Sequence, residues 1–341
     1  MGGRLWVRPF WAFKTMISVI VATYNQETTI ARTLDSILMQ QCHEPIEIVI
    51  GEDCSTDGTL AVCRQYAQRY PDKILLLANT RNKGVIDNYF DCIFAAHGEY
   101  IADCAGDDFW TDNRKLEKEL DILEQHPDVG IVHTDWQYFD GTHTTPAPAA
   151  HHTQHITDGK TLLTDILTPA RRPVIHLCTA LYRTAWIRKA HNEHTHLFRN
   201  KRYGCEDVQV AYYLAKMGNV AYIPDITLSY SREGESISNS TDHERLFRFY
   251  SNTGQLTFDI AKEEHIADNP HITEYLRFRI YELMMYAFRS GNSHLRREAL
   301  SLSRQWGITI NRSTAIIKLI TSTTITWHSA LLLRRIVKHT I

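Results

Sequence analysis

Ile17-Ser-Val-Ile-Val-Ala22 is a nearly unbroken apolar, largely β-branched run that stops abruptly at Thr23-Tyr24-Asn25. A strand that is apolar on both faces must be covered on both faces, which is the situation inside a parallel sheet. The pattern recurs. Ile46-Glu-Ile-Val-Ile50 runs into Gly51–Gly58, Ile74-Leu-Leu-Leu77 into the loop Asn79–Gly84, and Tyr100-Ile-Ala-Asp103 into Gly106-Asp107-Asp108. Between the runs lie one-faced helical spacings: Ile30, Leu34, Ile37 and Leu38; Cys63, Tyr66, Ala67 and Tyr70; Val85, Tyr89, Ile93 and Ala96. This alternation predicts an α/β domain with a mostly parallel central sheet flanked by helices. Each polar cluster then falls at the carboxyl end of a strand, where ligands bind in open α/β sheets.

Further along, Leu116, Leu120 and Leu123 give a helix face and Val129–Trp136 a strand. Asp140 to Thr157 turns to Thr, Pro, Ala and His and reads as a loop. Val174–Tyr182 is a strand candidate. Glu206-Asp207 opens a helix with Val208, Ala211, Tyr212 and Ala215 on one face, and Val220–Ile223 is a short strand. Beyond Thr241 the pattern is helical. The expected organisation is an N-terminal extension over 1–15, a main domain over 16–240 and a helical C-terminal region over 241–341. Residues 1–15 lack a signal-peptide core and read either as a surface segment or as an overcalled start ahead of Met16.

Several classes fall away. The formal net charge of -2 recruits no nucleic acid. Seven cysteines without a CxxC pair argue against a disulfide framework or zinc ribbon and fit a reducing compartment. No run approaches the ~18 apolar residues of a spanning helix. Dinucleotide and P-loop fingerprints, H-E-x-x-H and G-x-S-x-G are all absent. What remains is acid: adjacent carboxylates at Asp107 and Asp108, at the end of a buried strand, are costly unless a cation accompanies them. A divalent metal carrying a phosphorylated ligand answers that need.

Val19-Ile-Val-Ala-Thr-Tyr-Asn25, Glu52–Thr59, Asn82-Lys-Gly84, Gly98–Ala102 with Gly106-Asp-Asp108, and Glu206-Asp207 come in an order that resembles glycosyltransferase family 2, with its GT-A fold. The resemblance covers about Met16 to Ser238. It implies an inverting transfer of sugar from a nucleotide-diphosphate donor, with UDP favoured, to a glycan or lipid-linked acceptor in surface-polysaccharide assembly. By that resemblance Thr23, Tyr24 and Asn25 line the base, Asp53 accepts a hydrogen bond from it, and Arg81 and Lys83 meet phosphate. Asp107 binds the donor through Mg2+ or Mn2+, with Asp108 assisting. Asp207, or else Glu206, takes the acceptor proton. Glu233 stands where the family often has a metal-reaching histidine. The family's first motif acid is replaced by Ala105, leaving Asp103 or the backbone for the ribose.

Bland alternatives stand beside these roles. Asp53 and the Glu206-Asp207 pair also suit helix caps. Arg81 and Lys83 suit solvated loop charges, and Trp110 and Trp136 suit the core as well as a sugar platform. The histidines His151, His152, His155, His191, His194 and His196 lack zinc-finger spacing. The tail from Ser313 mixes Ile316, Ile317 and Leu331–Leu333 with Lys318, Arg334 and Arg335. It reads as a helix packed on the domain or as a peripheral contact with the inner face of the cell membrane of a cytoplasmic protein. The rival functions are a nucleotidyltransferase and a glycan- or nucleotide-sugar-binding protein that has lost activity.

Overall fold

In a computed structural model that describes residues 16–147, 155–169, 174–233, 240–323 and 325–332, the apolar runs become strands in the expected order. β1 (Ile17–Thr23), α1 (Ile30–Leu38), β2 (Ile46–Glu52), α2 (Thr59–Arg69), β3 (Ile74–Ala78), α3 (Val85–Ala95) and β4 (Tyr100–Asp103) alternate regularly. β1 pairs in parallel with β2 and β4, and β2 with β3. Ile17, Val19, Ile20 and Val21 are all buried, as a doubly covered strand requires. Ser18 is tolerated among them because it bonds the Glu47 carboxylate and accepts from the Gly98 N–H at 2.7 Å.

The second half of the sheet is mixed. β5 (Phe109–Trp110), α4 (Lys115–Gln125), β6 (Val129–Phe139), β7 (Thr144–Pro146), β8 (Ile156–Asp158), α5 (Leu163–Leu167), β9 (Ala180–Arg183), α6 (Thr184–Glu193), α7 (Thr195–Phe198), α8 (Asp207–Met217) and β10 (Asn219–Ser231) follow in turn. The strand order is β3-β2-β1-β4-β9-β6-β10-β5, with β7 beside β6 and β8 beside β10. β9 is antiparallel to both β4 and β6, and β10 is parallel to β6. β1 to β4, β6 and β10 therefore all point the same way. Their carboxyl ends share one edge, which brings Thr23, Glu52, Asp103 and Ser231 to the same side of the molecule.

The expected short strand Val220–Ile223 is the start of thirteen-residue β10. Register shifts between Ile223, Ile226 and Leu228 interrupt its periodicity around Pro224-Asp225. The candidate at Val174–Tyr182 begins instead with a 3-10 turn, Leu177–Thr179, and becomes strand only at Ala180. β5 is two residues long, too short to carry a period. β7 and β8 lie within the stretch expected to be loop, and each gains regular structure from a long neighbour, β6 or β10. Residues 1–15, His151, His152 and the last part of the tail lie outside the described residues.

The chain divides into two compact units, one within residues 1–201 and 205–233, the other within 202–204 and 234–341. The second contains α9 (His243–Glu263), α10 (Pro270–Ser290), α11 (Ser293–Gln305) and α12 (Arg312–Ile320). Each starts at an Asp or Asn whose side chain accepts from the first-turn N–H groups: Asp242, Asn269, Asn292 and Asn311. Its core includes Phe247, Leu256, Ile260, Leu276, Ile280 and Leu283. Among the described residues no helix is long and apolar enough to cross a membrane.

Candidate active site

The loops after β1 and β2 are braced against each other. Asn25, at φ 53°, donates its N–H to Ser55 Oγ (3.0 Å), and its Oδ1 accepts from the Thr56 N–H (2.8 Å). Thr23 is buried, and its carbonyl accepts from the Asp53 N–H at 3.0 Å. Tyr24 is 44% exposed, so its ring faces solvent at the strand end. The helix-start duty of this segment falls to Asp57, whose Oδ1 accepts from the Thr59 N–H at 3.0 Å.

Asp53 is only 3% exposed. Its Oδ1 accepts from Asn79 Nδ2 (3.0 Å) and the Lys83 N–H (2.8 Å), and its Oδ2 from the Gly84 N–H (2.8 Å). The carboxylate thus holds the 79–84 loop. Gly84 at φ 85° supplies a backbone conformation that favours glycine, and both N–H groups turn to the same acid. Asp53→Asn can accept at one oxygen only, leaving at least one of these N–H groups facing an NH2. We expect the loop to lose about 1–3 kcal/mol of local stability, read as faster amide exchange at Lys83 and Gly84. Lys83 itself is ion-paired to Asp91 at 2.8 Å, while Arg81 is exposed.

After β4 the chain turns at Gly106 because nothing larger fits: a Cβ there would lie 2.8 Å from Thr23 Oγ1 and nearer still to Gln26. This turn presents Asp107 and Asp108 differently. Asp108 is buried; its Oδ1 accepts from the Ser231 N–H (2.9 Å) and its carbonyl from Thr33 Oγ1 (2.7 Å). Burial first, and then the Asp107 charge, push its carboxyl well above the usual range. Asp107 is half-buried, and its carboxyl is also raised by burial, an effect opposed by Arg32 and Gln26.

Arg32 is a cation at this edge that the sequence pattern did not announce. Its guanidinium lies over the Phe109 ring (4.4 Å) and the Phe139 ring (5.0 Å), donates to the Asp107 carbonyl (3.2 Å) and pairs with Glu233. That pairing gives Glu233, the carboxylate expected to reach a metal, a protein cation as its partner. Its carboxylate is held by Arg32 and by Ser231 Oγ at 3.0 Å, and Arg32 draws its carboxyl below the usual range. Among the described residues Asp107, Asp108 and Glu233 do not gather into a three-donor nest. A hard cation here would be held mainly by Asp107, with Asp108 beside it and the remaining positions left to phosphate and water, a pattern that suits Mg2+ or Mn2+.

Glu206 occupies the N-cap position of α8, yet its side chain makes no capping hydrogen bond. Asp207 follows in the first turn and is open to water. The protein mass around it nonetheless raises its carboxyl to about 6 by desolvation. Burial, then the Asp207 and Asp103 charges, push Glu206 well above its usual value. Asp103 completes the acid group. Its carboxyl is lifted to about 7 by burial and lowered somewhat by the Tyr182 and Tyr89 hydroxyls, which lie 2.8 Å apart. Asp103, the residue expected to stand in for the acid missing at Ala105, thus lies buried on β4. Ala105 instead donates its N–H to Cys178 Sγ at 3.4 Å.

Other candidates resolve as packing. Trp110 and Trp136 are 1% and 2% exposed, so neither offers a platform to a sugar. His191 sits against Phe90, Phe94 and Phe198, and His194 stacks on Tyr213 at 4.1 Å. A groove of about 770 Å3 lined by Met39, Thr111, Asp112, Lys118 and Ile226 does not include the acid cluster.

The sequence model of the family described as Glycosyl transferase family 2 matches residues 18–190. The chain is 31% identical over 109 residues to the Escherichia coli UDP-Glc:alpha-D-GlcNAc-diphosphoundecaprenol beta-1,3-glucosyltransferase WfaP, covering 32% of this chain and 41% of that protein. Curated relatives that are 40% identical are matched over only 33% to 44% of their own length. Its fold is similar to that of S. aureus TarS 1-349 in complex with UDP-GlcNAc, at a TM-score of 0.54 and 17% identity over 87% of this chain and 93% of that one. It is also similar to the mannosyltransferase PcManGT from Pyrobaculum calidifontis in complex with GDP-Man and Mn2+, at a TM-score of 0.52 and 18% identity, covering 96% and 89%. At such identities the structural likeness establishes the fold, a GT-A sheet flanked by helices.

Proposed function

Because this chain belongs to glycosyltransferase family 2, we propose that it is an inverting enzyme moving a sugar from a nucleotide-diphosphate donor to a hydroxyl of a glycan or lipid-linked acceptor. The observation that carries this reading is the split pair on α8. Burial and the Asp207 charge push the Glu206 carboxyl well above its usual range, whereas the Asp207 carboxyl is raised only to about 6 and its side chain is open to water. Two neighbouring acids with values pushed apart are what proton transfer needs. Asp207 accepts the acceptor hydroxyl's proton as its oxygen bonds to the anomeric carbon. The bond from that carbon to the diphosphate breaks on the opposite face, which inverts the centre.

Thr23, Tyr24 and Asn25 border the base, and Asp53 keeps the 79–84 loop in place beside it, with Arg81 and Lys83 near the phosphates. A divalent Mg2+ or Mn2+ held by Asp107, with Asp108 adjacent, would supply charge neutralisation to the leaving diphosphate. Arg32 lies close enough to Asp107 to share that task. The E. coli relative, named for a UDP-sugar donor and a lipid-linked acceptor, supports the UDP and polysaccharide reading. The test is a thermal-shift series of UDP-, GDP- and TDP-sugars with and without Mn2+. A UDP-sugar should raise the melting temperature, and more so with Mn2+; a protein indifferent to every donor is not this enzyme.

A peripheral membrane contact fits the same acceptor. On α12 Ile316 and Leu319 are 57% and 71% exposed beside Lys318, and Ile325 beyond it is 81% exposed. Apolar side chains next to a cation favour an anionic bilayer surface. Ile316→Glu with Leu319→Glu should abolish flotation of the full chain with anionic vesicles. Flotation at wild-type level would remove the membrane reading.

A further inference from the structure

The edge of the sheet opposite the acid cluster carries a second group of donors that the transfer reaction does not use. α1 leaves the carboxyl end of β1 and returns to the amino end of β2, so the connection holding Cys42 and His43 lies at the amino edge. Glu117 reaches it from the first turn of α4. The two segments are already tied together: the Gln41 N–H donates to the Asn113 carbonyl at 2.7 Å, and Gln40 Nε2 to the Asp112 carbonyl at 2.7 Å. Glu117 Oε2 accepts from the His43 N–H at 2.9 Å and lies 2.9 Å from His43 Nδ1. The Cys42 sulfur, a His43 ring nitrogen and a Glu117 oxygen all lie within 4.8 Å of one another.

We propose that Cys42, His43 and Glu117 form a binding site for a divalent ion of the zinc class, separate from the donor-binding edge. The chemistry of the set selects the ion. Thiolate, imidazole and carboxylate together suit Zn2+, whereas Mg2+ and Mn2+ prefer oxygen alone. A tetrahedral ion with bonds of about 2.0–2.3 Å places its donors roughly 3.3–3.8 Å apart. The observed separations close to that with small side-chain rotations, because Cys42 is half-buried and His43 is at the surface. In the metal-free protein the His43 backbone and ring are hydrogen-bonded to Glu117, with the Cys42 sulfur beside them. Ligation needs the thiolate and the neutral imidazole, so binding of the ion releases protons. With three protein ligands, the fourth position stays open to water. Bound there, the ion joins the α1–β2 connection to α4, a staple across two segments that meet otherwise through hydrogen bonds.

A neighbouring group, His43 with Glu44 and Glu124, is the competing arrangement. It uses the other face of the same ring, with Nε2 3.7 Å from Glu124. It lacks sulfur, which makes the two distinguishable. The full-length protein, stripped with chelator, is titrated with Zn2+ by calorimetry and with Co2+ by absorption. We expect a thiolate-to-cobalt charge-transfer band that persists in Asp107→Asn and disappears in Cys42→Ser. Zinc affinity should fall by about tenfold or more in both Cys42→Ser and Glu117→Gln, while sugar transfer by Cys42→Ser stays at wild-type level. Glu117→Gln keeps the thiol and guards against a folding defect in the serine variant. A wild-type protein without the band overturns the assignment. So does zinc binding that survives Cys42→Ser but is lost in the Glu44→Gln, Glu124→Gln double variant.

Discussion

Asp207→Asn should leave donor binding intact and slow sugar transfer by about 10³-fold, the middle of the range for removing a general base. The amide keeps the size and hydrogen-bonding reach of the carboxylate but cannot hold the proton taken from the acceptor. The loss should therefore fall on kcat, while the donor-induced rise in melting temperature stays as in wild type. The pH profile carries an independent signature. Asp207 is raised to about 6, so it is protonated and idle below that value. The rate should fall about tenfold for each pH unit below about 6 and level off above it. Glu206 behaves in the opposite way. Burial and the Asp207 charge disfavour its ionised form and push its carboxyl well above the usual range. Glu206→Gln keeps the size of the side chain and removes only the charge that its burial already disfavours, and should cost far less than Asp207→Asn. If the two variants exchange these phenotypes, Glu206 is the base. The acid limb is a property of the coupled pair, so its midpoint belongs to both residues rather than to one.

The parts of this site readable from sequence share one property: each depends on local order along the chain. A β-branched run such as Ile17–Ala22 declares a buried strand, and whatever follows it must lie at the sheet's edge. Thr23, Asp53, Asp107 and Asp108 were assigned to that edge because each follows a strand. Arg32 was invisible for the complementary reason. It lies on α1 among residues whose spacing marks the core face, and its partner Glu233 is 201 residues away. No local period encodes that pairing. The pairing of Glu233 is hidden with it, since a carboxylate looks free until its cation is known. Trp110 and Trp136 were ambiguous because an aromatic near a ligand edge can face either way. Only the pairing of β5 with β10, and of β6 with β9 and β10, turned them inward. β9 was blurred by its neighbours: it is four residues long and antiparallel inside a parallel frame, so its pairing comes from tertiary contact rather than from its own pattern.

Asp107→Asn is the sharper test of whether the site holds a metal, and its outcome divides two mechanisms. If Asp107 holds Mg2+ or Mn2+, the variant should lose the extra thermal stabilisation that Mn2+ gives with donor, and kcat/KM should drop by at least ~10², as for loss of one charge-stabilising group. Asp108→Asn should be milder. Asp108 is buried with its carboxyl well above the usual range, and an amide oxygen still accepts from the Ser231 N–H. The alternative is already built into the fold. Arg32 sits over Phe109 and Phe139 with its guanidinium at the Asp107 carbonyl, so it could meet the diphosphate as a fixed cation in place of a metal. In that case Asp107→Asn leaves activity nearly unchanged and chelator does nothing. Arg32→Gln then carries the large loss. A metal enzyme gives the reverse: chelator and Asp107→Asn each abolish turnover. Arg32→Gln then acts mainly by freeing Glu233, whose released carboxylate adds negative charge beside the diphosphate and raises donor KM more than it lowers kcat.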